Sequence, residues 1–296
     1  MEEKVIECKN LTHYYGKRLI YENLNFSVLK GHIMGLLGKN GCGKTTTINI
    51  LNGFLQPRSG ECLIYGENTQ QLSPVTKRRL GYLIEGHIQY SFMNIYQIEK
   101  FYSGFYKEWN RDAYFELMKR MKILPTQKVS SMSCGQRAQV ALGLILAQNP
   151  DLLILDDFSL GLDPGYRRLF VNYMREYAKS ENKTVFLTSH IIQDMERLID
   201  DVLIMDYNRV LVKGSASEFL NTFRQYTFDL EREDVDLRGE KMVVTQDHLR
   251  NHYELYTYSP AEEVKAMLDN NGLAYSNFQQ VKMTLEDAFI GLTGKY

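Results

Sequence analysis

The chain contains a run of glycines, a lysine and a threonine whose spacing fits a phosphate-binding loop. The run matches G-x-x-x-x-G-K-[ST] and reads Gly38-Lys39-Asn40-Gly41-Cys42-Gly43-Lys44-Thr45, with Thr46 next in the chain. Glycines let successive backbone N–H groups converge on phosphate oxygens, and the positive end of a following helix strengthens that attraction. Lys44 would reach the β- and γ-phosphates of a nucleotide, and Thr45 would offer its hydroxyl to Mg²⁺. An apolar strand before the loop and a helical segment after it provide the context that this motif requires.

Two acidic residues and a histidine follow later apolar segments of the chain. Asp156 and Asp157 come directly after the continuous apolar run 152–155, and His190 follows the apolar segment 184–188. A continuous run is typical of a strand buried on both faces of a parallel sheet. Asp156, at the carboxyl end of such a strand, could hold Mg²⁺ through its water shell. A lone histidine after a strand is more often structural.

The pattern of apolar residues predicts an α/β fold with a mostly parallel sheet covered by helices. Strands are predicted at 5–8, 24–29, 33–37, 152–155, 184–188 and 202–205, and helices at 45–51, 136–148, 166–179 and 261–268. An aromatic-rich helical segment predicts an inserted helical lobe at about 86–148. We expect a nucleotide-binding domain at 1–217 and a small C-terminal α+β domain at 218–296.

Composition narrows the possible functions. The formal net charge is -1, with acidic and basic residues interspersed, so the chain has no field that would attract nucleic acid, and no nucleic-acid partner is expected. No stretch approaches the roughly 18 apolar residues of a membrane helix. The charged start predicts no secretory signal, so a cytoplasmic location is expected. The four cysteines are scattered without metal-ligand spacing.

A second motif distinguishes among the kinases, GTPases and ATPases that share phosphate-binding loops. The segment Ser131-Met132-Ser133-Cys134-Gly135-Gln136 resembles the L-S-G-G-Q signature of ABC ATPases. The D-loop-like segment Ser159-Leu160-Gly161-Leu162-Asp163-Pro164 and then His190 follow in the order of that family. From the residues alone, Ser133 could equally be an ordinary helix N-cap.

The resemblance implies the P-loop NTPase fold of an ABC cassette, an ATPase that uses ATP and Mg²⁺. In that family two chains clamp each nucleotide between the loop of one and the signature of the other. The resemblance implies that Tyr15, favoured over Tyr14, stacks on adenine. It implies nucleotide binding by Ser133, Cys134, Gly135, Gln136 and Asp163. It further implies catalytic roles for Asp157, His190 and Glu85, and metal binding by Thr45, Asp156 and Glu85.

Two less specific sequence segments point to a subgroup of the ABC ATPases. The segment Leu83-Ile84-Glu85 and the ending 283–294 look like the ATPases of ABC-2 exporters of the bacitracin and lantibiotic-immunity type. This implies transmembrane permease partners, a second ATPase chain in a homodimer or heterodimer, and a peripheral place at the inner face of the cell membrane. The aromatic residues between 90 and 109 could receive a partner helix or form the core of the lobe. A soluble non-transport ABC ATPase, an importer ATPase and a slowly hydrolysing regulatory ATP clamp are the alternatives.

Several positions depart from the family pattern, among them Met132 in the signature and Glu85, where most ABC ATPases carry glutamine. Asp157 stands where the family has the glutamate that polarises the attacking water, so its carboxylate reaches one methylene less far. We expect slow hydrolysis, because misplacement by about 1 Å can cost on the order of a hundredfold in rate; the alternative is a conservative exchange. Cys42 and Cys134 lie near helix N-termini, which lower thiol pKa values. We therefore expect thiol alkylation to block ATP binding or dimer closure, and ATP to protect against it. The two cysteines could also be small residues that fill small spaces.

Overall fold

A computed structural model describes residues 3–83, 90–159 and 161–294. The chain forms two compact units, Met1–Lys213 and Gly214–Tyr296. The boundary expected after residue 217 falls inside a helix, Ala216–Thr222, that belongs to the second unit.

The first unit begins with a four-stranded antiparallel sheet. Its strands are Lys4–Tyr15 (β1), Arg18–Leu29 (β2), Ser59–Ile64 (β4) and Glu67–Asn68 (β5), in the order β2-β1-β4-β5. β1 and β2 form a long hairpin in which Tyr15 lies opposite Arg18. The strands predicted at 5–8 and 24–29 are only parts of this hairpin, since register irregularities along it interrupt the period-two alternation that a sequence reading follows.

The second sheet of this unit carries the phosphate-binding loop. Its strands are Ile33–Gly38 (β3), Leu80–Leu83 (β6), Leu152–Leu155 (β7), Thr184–Thr188 (β8), Asp201–Asp206 (β9) and Arg209–Ser215 (β10), in the order β10-β9-β3-β8-β7-β6. β3 pairs with β8 and β8 with β7, both in parallel. Every residue of β7 and β8 is buried, as their continuous apolar sequences predict. The carboxyl ends of these three neighbours therefore lie at one edge of the sheet.

Seven helices of the first unit lie within the described residues. They are Lys44–Leu51 (α1), Pro74–Arg78 (α2), Ile95–Ser103 (α3), Arg111–Arg120 (α4), Cys134–Ala147 (α5), Pro164–Ser180 (α6) and Ile192–Leu198 (α7). The predicted helices 45–51, 136–148 and 166–179 correspond to α1, α5 and α6. Across the part of the chain that the structure describes, no helix combines the length and the apolar character needed to cross a membrane.

Helices α3, α4 and α5 form the helical lobe. Its core consists of aliphatic side chains and Tyr114, which is fully buried. α4 and α5 approach closely because position 143 is a glycine; a Cβ there would lie only 2.6 Å from the Met118 methyl group. The exposed aromatic side chains of the lobe are Tyr90, Phe92, Tyr96, Phe101 and Phe105. These five rings therefore lie at the surface of the lobe and not in its core.

The second unit is an antiparallel sheet with helices. Its elements are Ala216–Thr222 (α8), Arg224–Leu230 (β11), Val243–Leu249 (β12), His252–Thr257 (β13), Ala261–Asn270 (α9), Tyr275–Val281 (β14) and Leu285–Thr293 (α10), and the strand order is β12-β13-β11-β14. Phe228 of β11 and Tyr253 of β13 stack at a centroid distance of 5.8 Å within a core that includes Leu268 of α9. The helix predicted at 261–268 is α9.

Removal of the Glu99 carboxylate should destabilise the helical lobe. Glu99 is 3% exposed, and its Oε1 accepts a hydrogen bond from Trp109 Nε1 at 3.0 Å. Glu99→Ala leaves the indole N–H without this partner, at a cost of about 1–3 kcal/mol. Glu99→Gln keeps a carbonyl acceptor and should lose less. Trp109 is the single tryptophan, so urea unfolding followed by its fluorescence reports on the lobe directly.

Lys100→Ala is the matched control, because it alters the exposed neighbour on the same helix. Equal unfolding midpoints for Glu99→Ala and Lys100→Ala would show that the buried carboxylate contributes nothing to the stability of the lobe.

Candidate functional site

The phosphate-binding loop connects β3 to α1 through a backbone that needs glycine. Gly41 and Gly43 have φ values of 80° and 109°, in the region that L side chains rarely adopt. A Cβ at Gly43 would also come within 2.9 Å of the Tyr21 ring, which lies beneath the loop. Lys44 Nζ donates hydrogen bonds to the carbonyl oxygens of Gly38 at 2.8 Å and Lys39 at 3.2 Å. The ammonium group is thus held by neutral carbonyls within the loop.

Thr188, the last residue of β8, joins the two aspartates that follow β7. Its hydroxyl donates to Asp156 Oδ1 at 2.7 Å and accepts from the Asp157 backbone N–H at 2.9 Å. All three residues are buried. Because hydrogen bonds to a carboxylate are stronger than those between neutral groups, this bridge fixes the orientation of Asp156.

Asp157 occupies an unusual backbone conformation. Its φ is 45°, a left-handed value that aspartate tolerates better than most residues. Oδ1 accepts a hydrogen bond from the His190 backbone N–H at 3.3 Å. Oδ2 lies 3.6 Å from His190 Nε2, and no described group donates a hydrogen bond to this buried oxygen. A buried carboxylate oxygen without a donor can accept a hydrogen bond from a ligand or a water molecule.

These groups surround a cavity of about 260 Å³. The predicted site residues that line it are Tyr15, Asn40, Gly41, Gly43, Lys44, Thr45, Thr46, Asp156, Asp157 and His190. Four more lining residues are Arg18, Ile20, Thr188 and Ser189. Arg18 and Ile20 belong to no motif, and the only sequence signal for them is their closeness to Tyr15. The loop, the aspartates and the histidine therefore meet in one cavity, although they are far apart in the chain.

Tyr15, rather than Tyr14, faces this cavity. The Tyr15 side chain is about half exposed and contacts the His13 ring edge-to-face, with 4.8 Å between centroids. The Tyr14 ring instead lies beneath the Arg58 guanidinium at 5.3 Å. Neighbouring strand residues point to opposite faces, so only one of the two can face the phosphate-binding loop.

Gly38, Lys39 and Cys42 are not among the residues that line the cavity. The Cys42 side chain turns inward, and a Cβ at Gly38 would lie 2.3 Å from its Sγ. Burial raises the pKa of the Cys42 thiol. The prediction of a lowered thiol pKa was therefore wrong for Cys42, because desolvation of the thiolate outweighs the attraction of Lys44. Cys134, in contrast, is exposed.

The signature-like residues lie at the N-terminus of α5, outside the cavity. Ser133 is the N-cap: its Oγ accepts from the Gln136 N–H at 3.2 Å, while Gln136 Oε1 accepts from the Ser133 N–H at 3.0 Å. This capping box stabilises the first turn of the helix. The serine oxygen acts as an acceptor here, so its hydroxyl hydrogen can still be donated to an anion.

The D-loop packs directly on the first turn of α5. Gly161 has a φ of 74°, and a Cβ there would lie 2.7 Å from Cys134 Sγ. A Cβ at Gly135 would lie 2.6 Å from the Gly161 carbonyl oxygen. Asp163 is the exposed N-cap of α6, and its side chain makes no capping hydrogen bond. Glu85, the remaining predicted site residue, lies outside the described residues.

Comparisons with known proteins identify the family. A family model described as ABC transporter matches residues 21–159. The bacitracin transport ATP-binding protein BcrA of Bacillus licheniformis is 30% identical over 303 residues, which cover 98% of this chain and 97% of that protein. This chain belongs to the ABC transporter family.

Two further comparisons agree with this assignment. The Nod factor export ATP-binding protein I of Cupriavidus metallidurans is 28% identical over 306 residues, which cover 98% of this chain and 98% of that protein. A solved ATP-binding subunit of an ABC transporter superimposes with a TM-score of 0.64 at 25% identity, covering 73% of this chain and 92% of that one. The chain is thus an ABC transporter ATP-binding subunit with the P-loop cassette fold, and its reaction is ATP hydrolysis. The predictions of fold and of ABC identity are confirmed.

Native thiol labelling should modify Cys134 much faster than the other three cysteines. Cys8, Cys42 and Cys62 are buried, and the raised pKa of Cys42 keeps its thiol protonated and unreactive at pH 7 to 8. Labelling with a thiol-reactive chromophore, followed by peptide mass spectrometry, identifies the modified residue.

In the Cys134→Ser variant the fast phase should disappear, and in urea all the remaining thiols should react. Modification of Cys42 at a rate close to that of Cys134 in the native wild-type chain would contradict the buried position of the Cys42 thiol.

Proposed function

We propose that this ABC subunit binds Mg·ATP in the cavity around the phosphate-binding loop and powers an exporter. The observation that carries the proposal is the meeting of Tyr15, Lys44, Asp156, Asp157 and His190 around one cavity of about 260 Å³. An aromatic platform, a cationic phosphate loop, a metal-binding carboxylate and a second carboxylate are the groups that ATP hydrolysis needs.

Tyr15 is proposed to stack on the adenine ring. Its side chain is about half exposed and is fixed from one side by the His13 ring. An aromatic ring held in this way offers one free face to a base. The backbone N–H groups of the loop and the N-terminus of α1 would then receive the phosphates, with Lys44 exchanging its carbonyl partners for phosphate oxygens.

The oxygen donors near the loop fit Mg²⁺. Thr45 lies in the first turn of helix α1 and Asp156 is held by the Thr188 hydroxyl, so a hydroxyl and a carboxylate line the same cavity. Mg²⁺ prefers oxygen ligands and usually takes one or two carboxylates together with substrate phosphates. When bound, Mg²⁺ would neutralise negative charge that develops on the phosphates.

Asp157 and His190 are proposed to act at the γ-phosphate. Asp157 Oδ2, to which no described group donates a hydrogen bond, can accept one from the attacking water, which orients the water and makes it a better nucleophile. His190, with an exposed side chain, would contact the γ-phosphate. Glu85 remains a prediction as a further catalytic and metal-binding residue.

The signature residues are proposed to complete the site of a second ATPase chain. The N-terminus of α5 is exposed at Ser133 and Cys134, and its N–H groups and the serine hydroxyl can bind an anion. Neither residue lines the cavity of its own chain. A nucleotide bound to one chain would therefore be enclosed by Ser133, Cys134, Gly135, Gln136 and Asp163 of the other, in a homodimer or a heterodimer.

A second cavity, of about 660 Å³, is proposed to receive the permease. We call it the lobe groove; its lining includes Phe54, Tyr82, Tyr102, Tyr106 and Leu144. Phe54 is 63% exposed and lines the groove together with other apolar side chains, and an exposed apolar surface of this kind marks an interaction site. An amphipathic helix with aromatic or aliphatic residues on one face would fill such a groove.

The direction of transport is proposed from the relatives. Their names describe Nod factor export and bacitracin transport, and both align over 97% or more of their own length. The similarity therefore includes the second unit as well as the ABC cassette. We infer an ABC-2 type exporter whose ATPase works at the inner face of the cell membrane through its permease.

Phe54→Asp should abolish co-purification with the permease while ATP binding by the isolated chain stays unchanged. A carboxylate in the lobe groove would be buried on docking without a partner, which is strongly unfavourable. Leu249→Asp is the matched control, because Leu249 is a large exposed apolar residue of the second unit.

The docking proposal requires the two variants to differ. Normal co-purification of the Phe54→Asp chain would exclude the lobe groove as the docking site. Equal loss in both variants would point to a general effect of surface charge on assembly.

Asp157→Glu should raise the ATP turnover number of the assembled transporter. In the wild-type chain the Asp157 carboxylate accepts a hydrogen bond from the His190 N–H, so it stays near the carboxyl end of β7. One added methylene would extend the carboxylate toward the water, and the gain could reach about a hundredfold if misplacement by about 1 Å limits the rate. Asp157→Asn is the matched control and should lower turnover, since an amide accepts the proton poorly.

Turnover at saturating Mg·ATP, measured with and without the permease, decides between a motor and a regulatory ATP clamp. A fall in Asp157→Glu would mean that the site is adapted to aspartate. Equal turnover in the wild-type and Asp157→Asn chains would remove Asp157 from the reaction and favour the clamp.

A further inference from the structure

Arg18 lies beside the phosphate-binding loop although it belongs to no motif. It is the first residue of β2 and pairs with Tyr15 across the turn of the β1–β2 hairpin. Residues directly opposite each other in an antiparallel pair project from the same face of the sheet. The Tyr15 ring and the Arg18 guanidinium accordingly line the same cavity.

The Arg18 guanidinium contacts the outer turn of the loop. Nη2 donates to the Gly41 carbonyl oxygen at 3.3 Å, and a Cβ at Gly41 would lie 2.7 Å from this nitrogen. The left-handed backbone of Gly41 and its missing side chain thus leave room for the arginine. This hydrogen bond is long and its acceptor is neutral, so it is weak. It also engages only one of the five N–H donors of the guanidinium.

Arg18 lines the cavity together with two carboxylates, Asp156 and Asp157, but forms an ion pair with neither. Among the described residues its hydrogen bond is to a carbonyl, and none of the ion pairs includes it. Lys44, the loop lysine that lines the cavity, is also held by carbonyls. Asp156 is instead bridged to the Thr188 hydroxyl. A guanidinium presents paired donors that match two phosphate oxygens, so phosphate is a better partner than the Gly41 carbonyl.

We propose that Arg18 binds the phosphate chain of the nucleotide from the β1–β2 turn. The guanidinium leaves the Gly41 carbonyl, donates to phosphate oxygens, and holds the nucleotide between the Tyr15 ring and the loop. This inference rests on the proposed nucleotide site, and it adds a second cation from outside the loop to Lys44. Its contribution should be shared by ATP and ADP and absent for adenosine, because adenosine carries no phosphate.

Calorimetric titration of the purified full chain with ATP, ADP and adenosine tests the proposal. Arg18→Ala should weaken ATP and ADP binding by about tenfold each, the effect of losing one hydrogen bond to a charged group, and should leave adenosine binding unchanged. Arg18→Lys should fall between wild type and Arg18→Ala. Lys17→Ala is the matched control, since it removes the neighbouring positive charge in the turn and should bind like wild type.

Replacement of Arg18 by citrulline separates phosphate binding from support of the loop. Citrulline keeps the length and the terminal N–H donors with which arginine reaches the Gly41 carbonyl, but it carries no charge. If Arg18 binds phosphate, the citrulline chain loses nucleotide affinity as Arg18→Ala does; if Arg18 only supports the loop, the citrulline chain binds like wild type, and the proposal is overturned.

Other results of the titrations would also count against a phosphate-binding role for Arg18. Equal losses in Arg18→Ala and Lys17→Ala would reflect general electrostatic attraction, and weaker adenosine binding would reflect a displaced Tyr15; both count against the proposal. A wild-type chain that fails to bind ATP would contradict the proposed nucleotide site itself. Tight wild-type binding with unaffected Arg18 variants would overturn only the role of Arg18.

Discussion

The parallel pairing of β3, β8 and β7 is the constraint on which the site depends. Three loops that are distant in sequence begin at the carboxyl ends of these adjacent strands, so the pairing alone brings them to one edge. Thr188 at the end of β8 then links Asp156 to the backbone of Asp157. The strands are buried on both faces, which restricts their register and therefore the relative positions of the loop and the two acids.

The chemistry of the loop could be predicted because it depends on local sequence. Gly41 and Gly43 are needed where the backbone is left-handed, and the strand before the loop and the helix after it have clear apolar patterns. Ser133 and Gln136 likewise form a capping box within four residues. In such cases the residues that interact are close neighbours in the chain, so their spacing carries the information.

Features that depend on tertiary packing could not be predicted in the same way. Arg18 reaches the site through the register of the β1–β2 hairpin, and its sequence context contains no motif. Cys42 lies near a helix N-terminus, yet its thiol pKa is raised because packing beneath the loop removes it from water. The Asp157 backbone, which is left-handed and donates its N–H to the Thr188 hydroxyl of the neighbouring strand, likewise has no signal in the local sequence.

In a single chain the phosphate-binding loop, Asp156, Asp157 and His190 line one cavity, while the residues at the N-terminus of α5 do not line it. Turnover per chain at saturating Mg·ATP, measured over a wide range of chain concentrations, tests this division most directly. If the proposed second chain is another copy of this one, the turnover number should rise with chain concentration, because the signature residues of that copy would complete each nucleotide site. A measurable turnover number that stays constant over the same range would contradict it.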